Sequence, residues 1–346
     1  MVRLCARLKK GGCWARVSRT GKNGPTNGAE APVQREKMQD KRIEILMATY
    51  NGAPYLCEQI DSILRQTDRG WHLTISDDGS TDGTDAIIDG YVQRYPDRIC
   101  RVASGRRFGG AMLHFLWLTQ QCNADYMAFC DQDDVWYDGK LEALRRSMLD
   151  AEARLGGQTP VLVFSDQTVT DEKLRTLSPS LMRYQKQYFE RFDYRSILIQ
   201  NVVTGGAMMI NRALAELALQ CADTSQVVMH DWWMAAVAAR FGEIVYIDEP
   251  LGAYRQHGNN SVGAKDVGSL RHILYMLGHT QRIRQMLACK KAQASVFERT
   301  YASRLGEADH LFLERFARRR SGLAFYLRHR MLIHGGLRLA GMVAFG

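Results

Sequence analysis

Short apolar segments alternate with longer amphipathic segments through the first half of this chain. Short apolar runs predict buried strands, whereas apolar residues repeated every three or four positions predict helices. The predicted strands are residues 43–48, 71–76, 99–103 and 126–130, and the predicted helices are residues 54–66, a segment with Ile87 and Tyr91, residues 111–121 and a segment after Asp138. This alternation predicts an α/β fold with a mostly parallel sheet and helices on both faces.

Polar residues follow three of these predicted strands immediately. The three clusters are Thr49-Tyr50-Asn51, Asp77-Asp78 and Asp131-Gln132-Asp133. In open α/β sheets, ligands bind beyond the carboxyl ends of the strands. A simple turn explains each cluster taken alone, but three clusters at one edge of a sheet predict a nucleotide site.

The third cluster belongs to a segment with three carboxylates, Asp131, Asp133 and Asp134, followed by Val135 and Trp136. Clustered anions are costly to remove from water unless a cation neutralises them. Oxygen ligands suit Mg²⁺ and Mn²⁺, which typically share one or two carboxylates with the phosphates of a substrate. We therefore expect Mn²⁺ or Mg²⁺ here, acting on a phosphorylated donor.

The formal net charge of +9 is distributed unevenly over the 346 residues. Residues 1–40 and 268–346 are basic, whereas residues 41–267 carry an acidic excess. A nucleic-acid-binding core would concentrate positive charge on its own surface, so nucleic acid is not an expected partner. The eight cysteines lack the spacing of a zinc site, which is typical of a reducing cytoplasm. No apolar run reaches the ~20 residues of a membrane span, and we expect a cytoplasmic protein.

The alternation loosens after residue 150. Strands are predicted at residues 161–165 and 244–247, a Gly-rich turn with Gly205 and Gly206 leads into another strand, and residues 231–241 form a helix. We divide the chain into a disordered basic extension (1–40, with Met38 as an alternative start), a catalytic domain (41–267) and a basic helical tail (268–346).

Six motifs occur in order between residues 42 and 262. They lie at residues 47–52, 59–67, 77–84, 131–136, 230–233 and 254–260, reading MATYNG, QIDSILRQT, DDGSTDGT, DQDDVW, HDWW and YRQHGNN. Together they resemble family 2 glycosyltransferases, inverting enzymes of the GT-A fold that use nucleotide-sugars. The fourth and sixth motifs are most similar to the rhamnosyltransferase-like branch, which builds O-antigen and other bacterial surface polysaccharides.

The resemblance implies a role for each residue of the donor site. Thr49, Tyr50 and Asn51 would bind the nucleotide, with Asp78 accepting a hydrogen bond from the pyrimidine N3–H. Asp131 and Gln132 would lie beside the ribose and diphosphate, Asp133 would bind the metal, and Asp134 would brace the loop. The family usually has an Asn near the third strand, whereas this chain has Arg106-Arg107-Phe108-Gly109-Gly110. Arg107 could serve the diphosphate instead, as a charge-assisted donor.

The resemblance also implies the catalytic and acceptor residues. Asp231 would be the base that accepts the proton of the acceptor hydroxyl, although an Asp that caps a helix is a common alternative. His257 would complete the metal shell or donate to the diphosphate; a surface histidine remains the alternative. Gly205, Gly206, Trp232 and Trp233 would contact the acceptor, a saccharide or lipid-linked saccharide, and one of the two tryptophans would instead lie in the core.

The basic tail has two interpretations. Residues 315–345 resemble an amphipathic helix that lies on an anionic membrane, which would place the protein on the inner face of the cytoplasmic membrane. The alternative is a helix that packs its apolar side on the catalytic domain. Three rival functions also stay open: a UDP-sugar transferase, a non-catalytic nucleotide-binding protein, and a nucleotidyltransferase, whose Gly-rich, basic loop after the first strand is missing here.

Overall fold

The computed structural model of the protein describes residues 41–187, 192–258 and 280–317. The predicted basic extension and residues 268–279 and 318–346 of the predicted tail lie outside these ranges. The strands are β1 (Ile43–Thr49), β2 (Trp71–Asp77), β3 (Ile99–Arg101), β4 (Tyr126–Cys130), β5 (Val135–Trp136), β6 (Val161–Thr170), β7 (Thr176–Ser178), β8 (Met208–Asn211) and β9 (Glu243–Arg255).

Ten α-helices accompany these strands in the described ranges. They are α1 (Ala53–Leu64), α2 (Thr84–Arg94), α3 (Ala111–Gln121), α4 (Lys140–Leu155), α5 (Leu181–Tyr184), α6 (Tyr194–Ile199), α7 (Arg212–Ala218), α8 (His230–Phe241), α9 (Thr280–Tyr301) and α10 (Glu307–Ala317). Pro54 lies in the first turn of α1, where a missing backbone N–H costs nothing. The predicted helices of the first half are therefore present, with ends that differ by a few residues.

The strands form one mixed sheet in the order β3-β2-β1-β4-β8-β6-β9-β5, with β7 paired to β6. The first four strands run parallel, as the strand–helix alternation predicts. The second half departs from that pattern, because β8 runs antiparallel to both β4 and β6, and β5 runs antiparallel to β9. The sheet is thus parallel around the predicted donor edge and mixed beyond it.

Alternate residues of the central strands point into two hydrophobic clusters, one on each face of the sheet. In β1, Leu46 belongs to the first cluster, whereas Ile45 and Met47 belong to the second. The first cluster packs against α3 and α6 to α10, and the second against α1, α2 and α4. This burial on both faces explains why β1 and β4 are apolar throughout.

The helices α9 and α10 pack into the first cluster. Phe297 and Tyr301 of α9 are buried against Trp233 of α8. On α10, Asp309 accepts hydrogen bonds from Tyr194 and from the guanidinium groups of Arg195 and Arg240. The described part of the predicted tail therefore covers the core, while most of the predicted membrane-contacting segment falls outside the described residues.

A search of the described residues for a helix long and apolar enough to cross a bilayer finds none.

Candidate active site

The carboxyl ends of β1, β2 and β4 meet at one edge of the sheet. β1 lies between the other two strands, with Thr49 opposite Asp77 and Met47 opposite Cys130. The segments that follow these strands must therefore lie side by side. The structure brings the three predicted polar clusters together, as the sequence predicts.

The loop after β2 is organised around Asp77. Its carboxylate accepts hydrogen bonds from the Thr49 hydroxyl at 2.8 Å, from the Ser80 hydroxyl at 2.5 Å, and from the backbone N–H groups of Ser80 and Gly79. Partial burial disfavours the charged form, but these hydrogen bonds outweigh it and lower the pKa of Asp77. Asp77 thus acts as a fixed anion that shapes the loop.

Asp78, the predicted partner of the pyrimidine, is 4% exposed. Its carboxylate accepts from the backbone N–H groups of Phe108 at 2.5 Å and Gly109 at 2.8 Å, and Arg107 Nε donates to its carbonyl. The same arginine lies over the ring of Tyr50, 5.1 Å from the ring centre. The loop that replaces the family's usual Asn is therefore attached to the donor edge through Asp78.

Three predicted nucleotide-binding side chains are used to hold the loops to one another. The Thr49 hydroxyl is directed to Asp77, the Asn51 amide oxygen accepts from the Thr81 N–H, and the Gln132 amide forms two hydrogen bonds with the Tyr50 backbone. A Cβ at Gly52 would lie 2.3 Å from Gln132 Oε1, so this contact requires glycine. Thr49, Asn51 and Gln132 therefore brace the loops of this edge, and Asn51 also stays exposed, as do Tyr50 and Arg107. The predicted contacts of all five residues with the nucleotide stay predictions.

The loop after β4 differs from the loop after β2, because burial raises the pKa values of its carboxyl groups. Asp134 is 1% exposed and accepts from the Arg255 N–H at 3.1 Å and the Gln167 amide at 3.3 Å, so it braces the loop as expected. Burial and the charges of neighbouring carboxylates raise its pKa well above the usual range. Burial and the Asp133 charge likewise raise the pKa of Asp131 to about 7. In this loop the hydrogen bonds do not offset burial and the repulsion between neighbouring carboxylates.

Asp133 and His257 face each other at the same loop. Asp133 Oδ2 lies 2.8 Å from His257 Nε2, and the imidazole stacks on Tyr55 with ring centres 4.6 Å apart. Arg255 holds this arrangement, because its Nε donates to the Asp133 carbonyl and its guanidinium also bonds Glu58 and Glu172. The two predicted metal ligands are thus adjacent and supported.

The residues present fit a metal ion for which the protein supplies only some of the ligands. Within the described ranges, no group of three or more His, Cys, Asp or Glu side chains is arranged to hold a metal ion. One carboxylate and one imidazole, beside an acidic loop with raised pKa values, match the partial shell that Mg²⁺ or Mn²⁺ completes with phosphate and water. Asp133 and His257 would be the protein ligands of such an ion.

The Gly205–Ala207 turn joins this loop to Asp231. The Gly205 N–H donates to Asp231 Oδ2 at 3.1 Å, and the next N–H, that of Gly206, donates to Asp131. Asp231 lies in the first turn of α8, and its other carboxylate oxygen accepts from the Trp232 N–H at 2.5 Å. Burial, reinforced by the Asp131 charge, raises the pKa of Asp231 to about 7 despite these hydrogen bonds. A carboxyl with such a pKa can exchange a proton near neutral pH.

The two tryptophans after Asp231 separate into different environments. Trp233 is fully buried and donates to the Ala218 carbonyl, so it is the core tryptophan and its predicted contact with the acceptor is wrong. Trp232 is half-buried, donates to the Ile197 carbonyl, and lies under Lys290. Only Trp232 keeps surface near the candidate base.

Lys140 and Arg255 are site residues to which the sequence reasoning gave no role. Lys140 is 1% exposed, and its Nζ donates to the Gly206 carbonyl at 2.5 Å. One signal was available: Lys140 shares the apolar face of α4 with Leu144 and Met148, where a lysine has to be paired. Arg255 stands in the sixth motif, and its burial depends on the pairing of β9 with β6, which sequence pattern does not give.

Comparisons with known proteins bear on the family and the fold of the chain. The family model described as "Glycosyl transferase family 2" matches residues 44–218. The chain is 31% identical over 230 residues to a protein of Shigella flexneri named dTDP-rhamnosyl transferase RfbG, covering 63% of this chain and 74% of that protein. It is 25% identical over 228 residues to the uncharacterized glycosyltransferase alr2836 of Nostoc sp., covering 64% and 66% respectively.

Among solved structures, the crystal structure of S. aureus TarS 1-349 in complex with UDP superposes with a TM-score of 0.50 at 13% sequence identity. The match covers 88% of this chain and 90% of that one. At this identity the likeness shows the fold alone, and that fold is the GT-A fold expected from the motifs.

Proposed function

The chain belongs to glycosyltransferase family 2, and we propose that it transfers rhamnose from dTDP-rhamnose to a saccharide acceptor, with inversion, in the synthesis of a bacterial surface polysaccharide. The acceptor, free or lipid-linked, would be modified at the cytoplasmic face of the membrane. The rhamnosyl assignment is supported by the relative named dTDP-rhamnosyl transferase.

The observation that carries the proposal is the arrangement of Asp231 and Asp131 around the Gly205–Ala207 turn. Successive N–H groups of one short turn donate to the two carboxylates, so the candidate base lies close to the acidic loop. An inverting transfer is a single in-line displacement at the anomeric carbon. It needs a base for the acceptor hydroxyl on one side and stabilisation of the departing diphosphate on the other. This arrangement supports both requirements.

Asp231 accepts the proton of the acceptor hydroxyl as that oxygen attacks the anomeric carbon. Its carboxylate is oriented by the N–H groups of Gly205 and Trp232, which leaves lone pairs on both oxygens for the incoming hydroxyl. Because burial raises its pKa to about 7, the carboxylate is a better proton acceptor than an exposed aspartate. The half-buried Trp232 offers an apolar edge for the acceptor sugar.

The donor binds along the edge formed by β1, β2 and β4. Tyr50 and Arg107 lie at the surface there, with Asp78 behind them, and these three residues would bind the nucleoside and the diphosphate. Asp133 and His257 would hold Mn²⁺ or Mg²⁺ against the diphosphate. When bound, such an ion supplies Lewis-acid stabilisation of the negative charge that develops on the leaving group.

A thermal-shift panel on the full chain tests the donor site. Each of dTDP, UDP, GDP and CDP is added with Mn²⁺, Mg²⁺ or EDTA. We expect dTDP with metal to raise the melting temperature most, and EDTA to abolish the effect, because a ligand that binds only the folded state stabilises it. Selective stabilisation by UDP would replace the rhamnosyl assignment with the UDP-sugar alternative. No stabilisation by any diphosphate at saturating metal would favour a non-catalytic scaffold.

A second measurement separates catalysis from binding. Transfer or hydrolysis of the selected donor is measured for the wild-type protein and for Asp231→Asn, which keeps the size of the side chain but removes its basicity. We expect a loss of roughly 1,000-fold or more in rate, since general-base catalysis contributes 10²–10⁴-fold, with the thermal shift by the nucleotide preserved. An Asp231→Asn protein with the wild-type rate would remove Asp231 from the mechanism.

A further inference from the structure

Lys140 is a buried cation directly beneath the acidic loop. It begins α4, is 1% exposed, and lies 4.1 Å from the centre of the Trp136 ring. Burying an ammonium group costs free energy unless hydrogen bonds and opposite charges compensate it. Burial lowers the pKa of Lys140 to about 8, and nearby acidic groups that include Asp134 and Asp131 oppose the shift. The free-energy cost of burying this ammonium group calls for a functional explanation.

The hydrogen-bond partner of Lys140 suggests that explanation. Its Nζ donates to the carbonyl of Gly206, the residue whose N–H donates to Asp131. The preceding N–H, that of Gly205, donates to Asp231. One turn is thus attached to the ammonium group, to the donor-side loop and to the candidate base.

The turn also fits tightly against the acidic loop. A Cβ at Gly206 would lie 2.7 Å from Asp131 Oδ2 and 3.1 Å from Asp134 Oδ2. Backbone can approach two carboxylates this closely only where there is no side chain. The Lys140 ammonium draws the turn toward this position by holding its carbonyl oxygen.

We infer that Lys140 is a positioning residue for the proposed transfer: it fixes the Gly205–Ala207 turn, and thereby the placement of Asp231 relative to the donor-side loop. The inference rests on the proposed function, because the placement of Asp231 matters to the rate only if Asp231 is the base. Lys140 acts on Asp231 through this turn.

The experiment measures kcat and the donor KM of the full-length Lys140→Met protein. Methionine keeps most of the side-chain volume but removes both the charge and the donor. We expect kcat to fall about 100-fold, as for a catalytic group displaced by about 1 Å. The donor KM should stay within about threefold, since the donor-binding edge is not altered. The thermal shift produced by dTDP and Mn²⁺ should also persist.

Lys290 provides a matched control. It is 6% exposed, its Nζ donates to the Ile199 carbonyl at 2.9 Å, and it lies 5.3 Å from the centre of the Trp232 ring. It therefore shares burial, a carbonyl acceptor and an indole with Lys140, but its carbonyl acceptor, Ile199, lies on α6 instead of the Gly205–Ala207 turn. Lys290→Met should lower the melting temperature to a similar extent, while kcat at saturating acceptor changes by less than about threefold. An effect through Trp232 would fall on the acceptor KM, which is measured alongside.

Each outcome decides the inference. A Lys140→Met protein with wild-type kcat would overturn it, and so would an equal loss of kcat in Lys290→Met, because the loss would then reflect stability alone. If Lys140→Met does not fold, Gly206→Ala displaces the same turn from its opposite side, and an unchanged kcat in that variant would be equally decisive against it. A wild-type protein with no activity on any donor would overturn the proposed function itself, and the inference with it.

Discussion

Two acidic loops lie side by side at the donor edge, and their clustered carboxylates are stabilised in different ways. After β2, Asp77 accepts four hydrogen bonds from Thr49, Gly79 and Ser80, and its pKa is lowered. After β4, burial and mutual repulsion raise the pKa values of Asp131 and Asp134. The first loop is stabilised by the protein's own donors, whereas the second concentrates buried carboxyl groups that a bound cation would stabilise in their charged form.

The difference shows that an Asp-rich strand end does not by itself mark a metal site. What matters is how many N–H and O–H donors the fold directs at the carboxylates. The loop after β2 has enough of them and serves as scaffold. The loop after β4 has Lys140 beneath it and His257 beside it, and it is the one that we expect to bind metal with the donor. Four predictions test this contrast, from the largest expected effect to the smallest.

The largest effect should follow from removing the candidate metal ligand of the loop after β4. Asp133→Ala should lower transfer by roughly 1,000-fold, because metal stabilisation of a leaving group contributes several kcal/mol, with little change in melting temperature. Asp138→Ala is the matched control, since Asp138 follows the same loop but is 61% exposed. Steady-state rates with and without EDTA measure the effect. If Asp133→Ala retained activity that EDTA abolished, the metal would have to bind at another site.

The second prediction concerns pH. Asp231 must be ionised to accept a proton, and its folded-state pKa is raised to about 7. At saturating donor, kcat should therefore rise about tenfold per pH unit below this value and level off above it. A profile between pH 5 and 9 measures this dependence. Because the Asp131 charge contributes to the raised pKa of Asp231, Asp131→Asn should move the acid side of the kcat profile to lower pH. An unchanged profile would show that the loop after β4 does not influence the pKa of Asp231.

The third prediction concerns stability at the loop after β2. Asp77→Asn should lower the free energy of unfolding by about 1–3 kcal/mol, because several N–H and O–H donors lose a charged acceptor. Since the folded-state pKa of Asp77 is lowered, its contribution is present above the unfolded value and is lost as the pH falls through the folded value. Urea denaturation at pH 7 and pH 3 measures the cost. Equal costs at the two pH values would contradict the assignment.

The smallest effect should have the opposite sign. The pKa of Asp131 is raised from 3.8 to about 7 in the folded protein, so the folded state binds more protons between these values and stability falls as the pH rises. In the presence of EDTA, Asp131→Asn should raise the melting temperature at pH 8 by about 2–4 °C, equivalent to about 1 kcal/mol. Calorimetry at pH 5 and pH 8 measures it. A destabilised Asp131→Asn protein at pH 8 would show that Lys140 balances the loop without metal.

Much of the donor edge was predictable from sequence, since each of its clusters follows an apolar run and parallel strands end together. The alternation gave β1, β2 and β4, and with them the positions of Asp78 and Asp133. The direction of individual side chains was not predictable: Thr49 and Gln132 face neighbouring loops because their partners come from other strands.

The second half was harder for a related reason. Trp233 is buried by Phe297 and Tyr301, more than sixty positions away, so its neighbours in sequence say little about its surroundings. Lys140 lies on the apolar face of α4, but the pattern does not reveal its acceptor, because the Gly206 carbonyl belongs to the turn that precedes β8. Long-range packing overrides local preference at both positions.

The ion pair between Asp309 of α10 and Arg240 of α8 bears on how much of the chain the candidate site needs. The stretch recognised as family 2 ends at residue 218, whereas Asp231 and His257 come after it. Arg240 lies on the helix that carries Asp231 and forms an ion pair with Asp309, near the end of the described residues. Residues 44–218 are therefore shorter than the segment whose contacts build the candidate site. A protein trimmed to residues 44–218 would keep the acidic loop and lose both the candidate base and the ion pair that supports its helix.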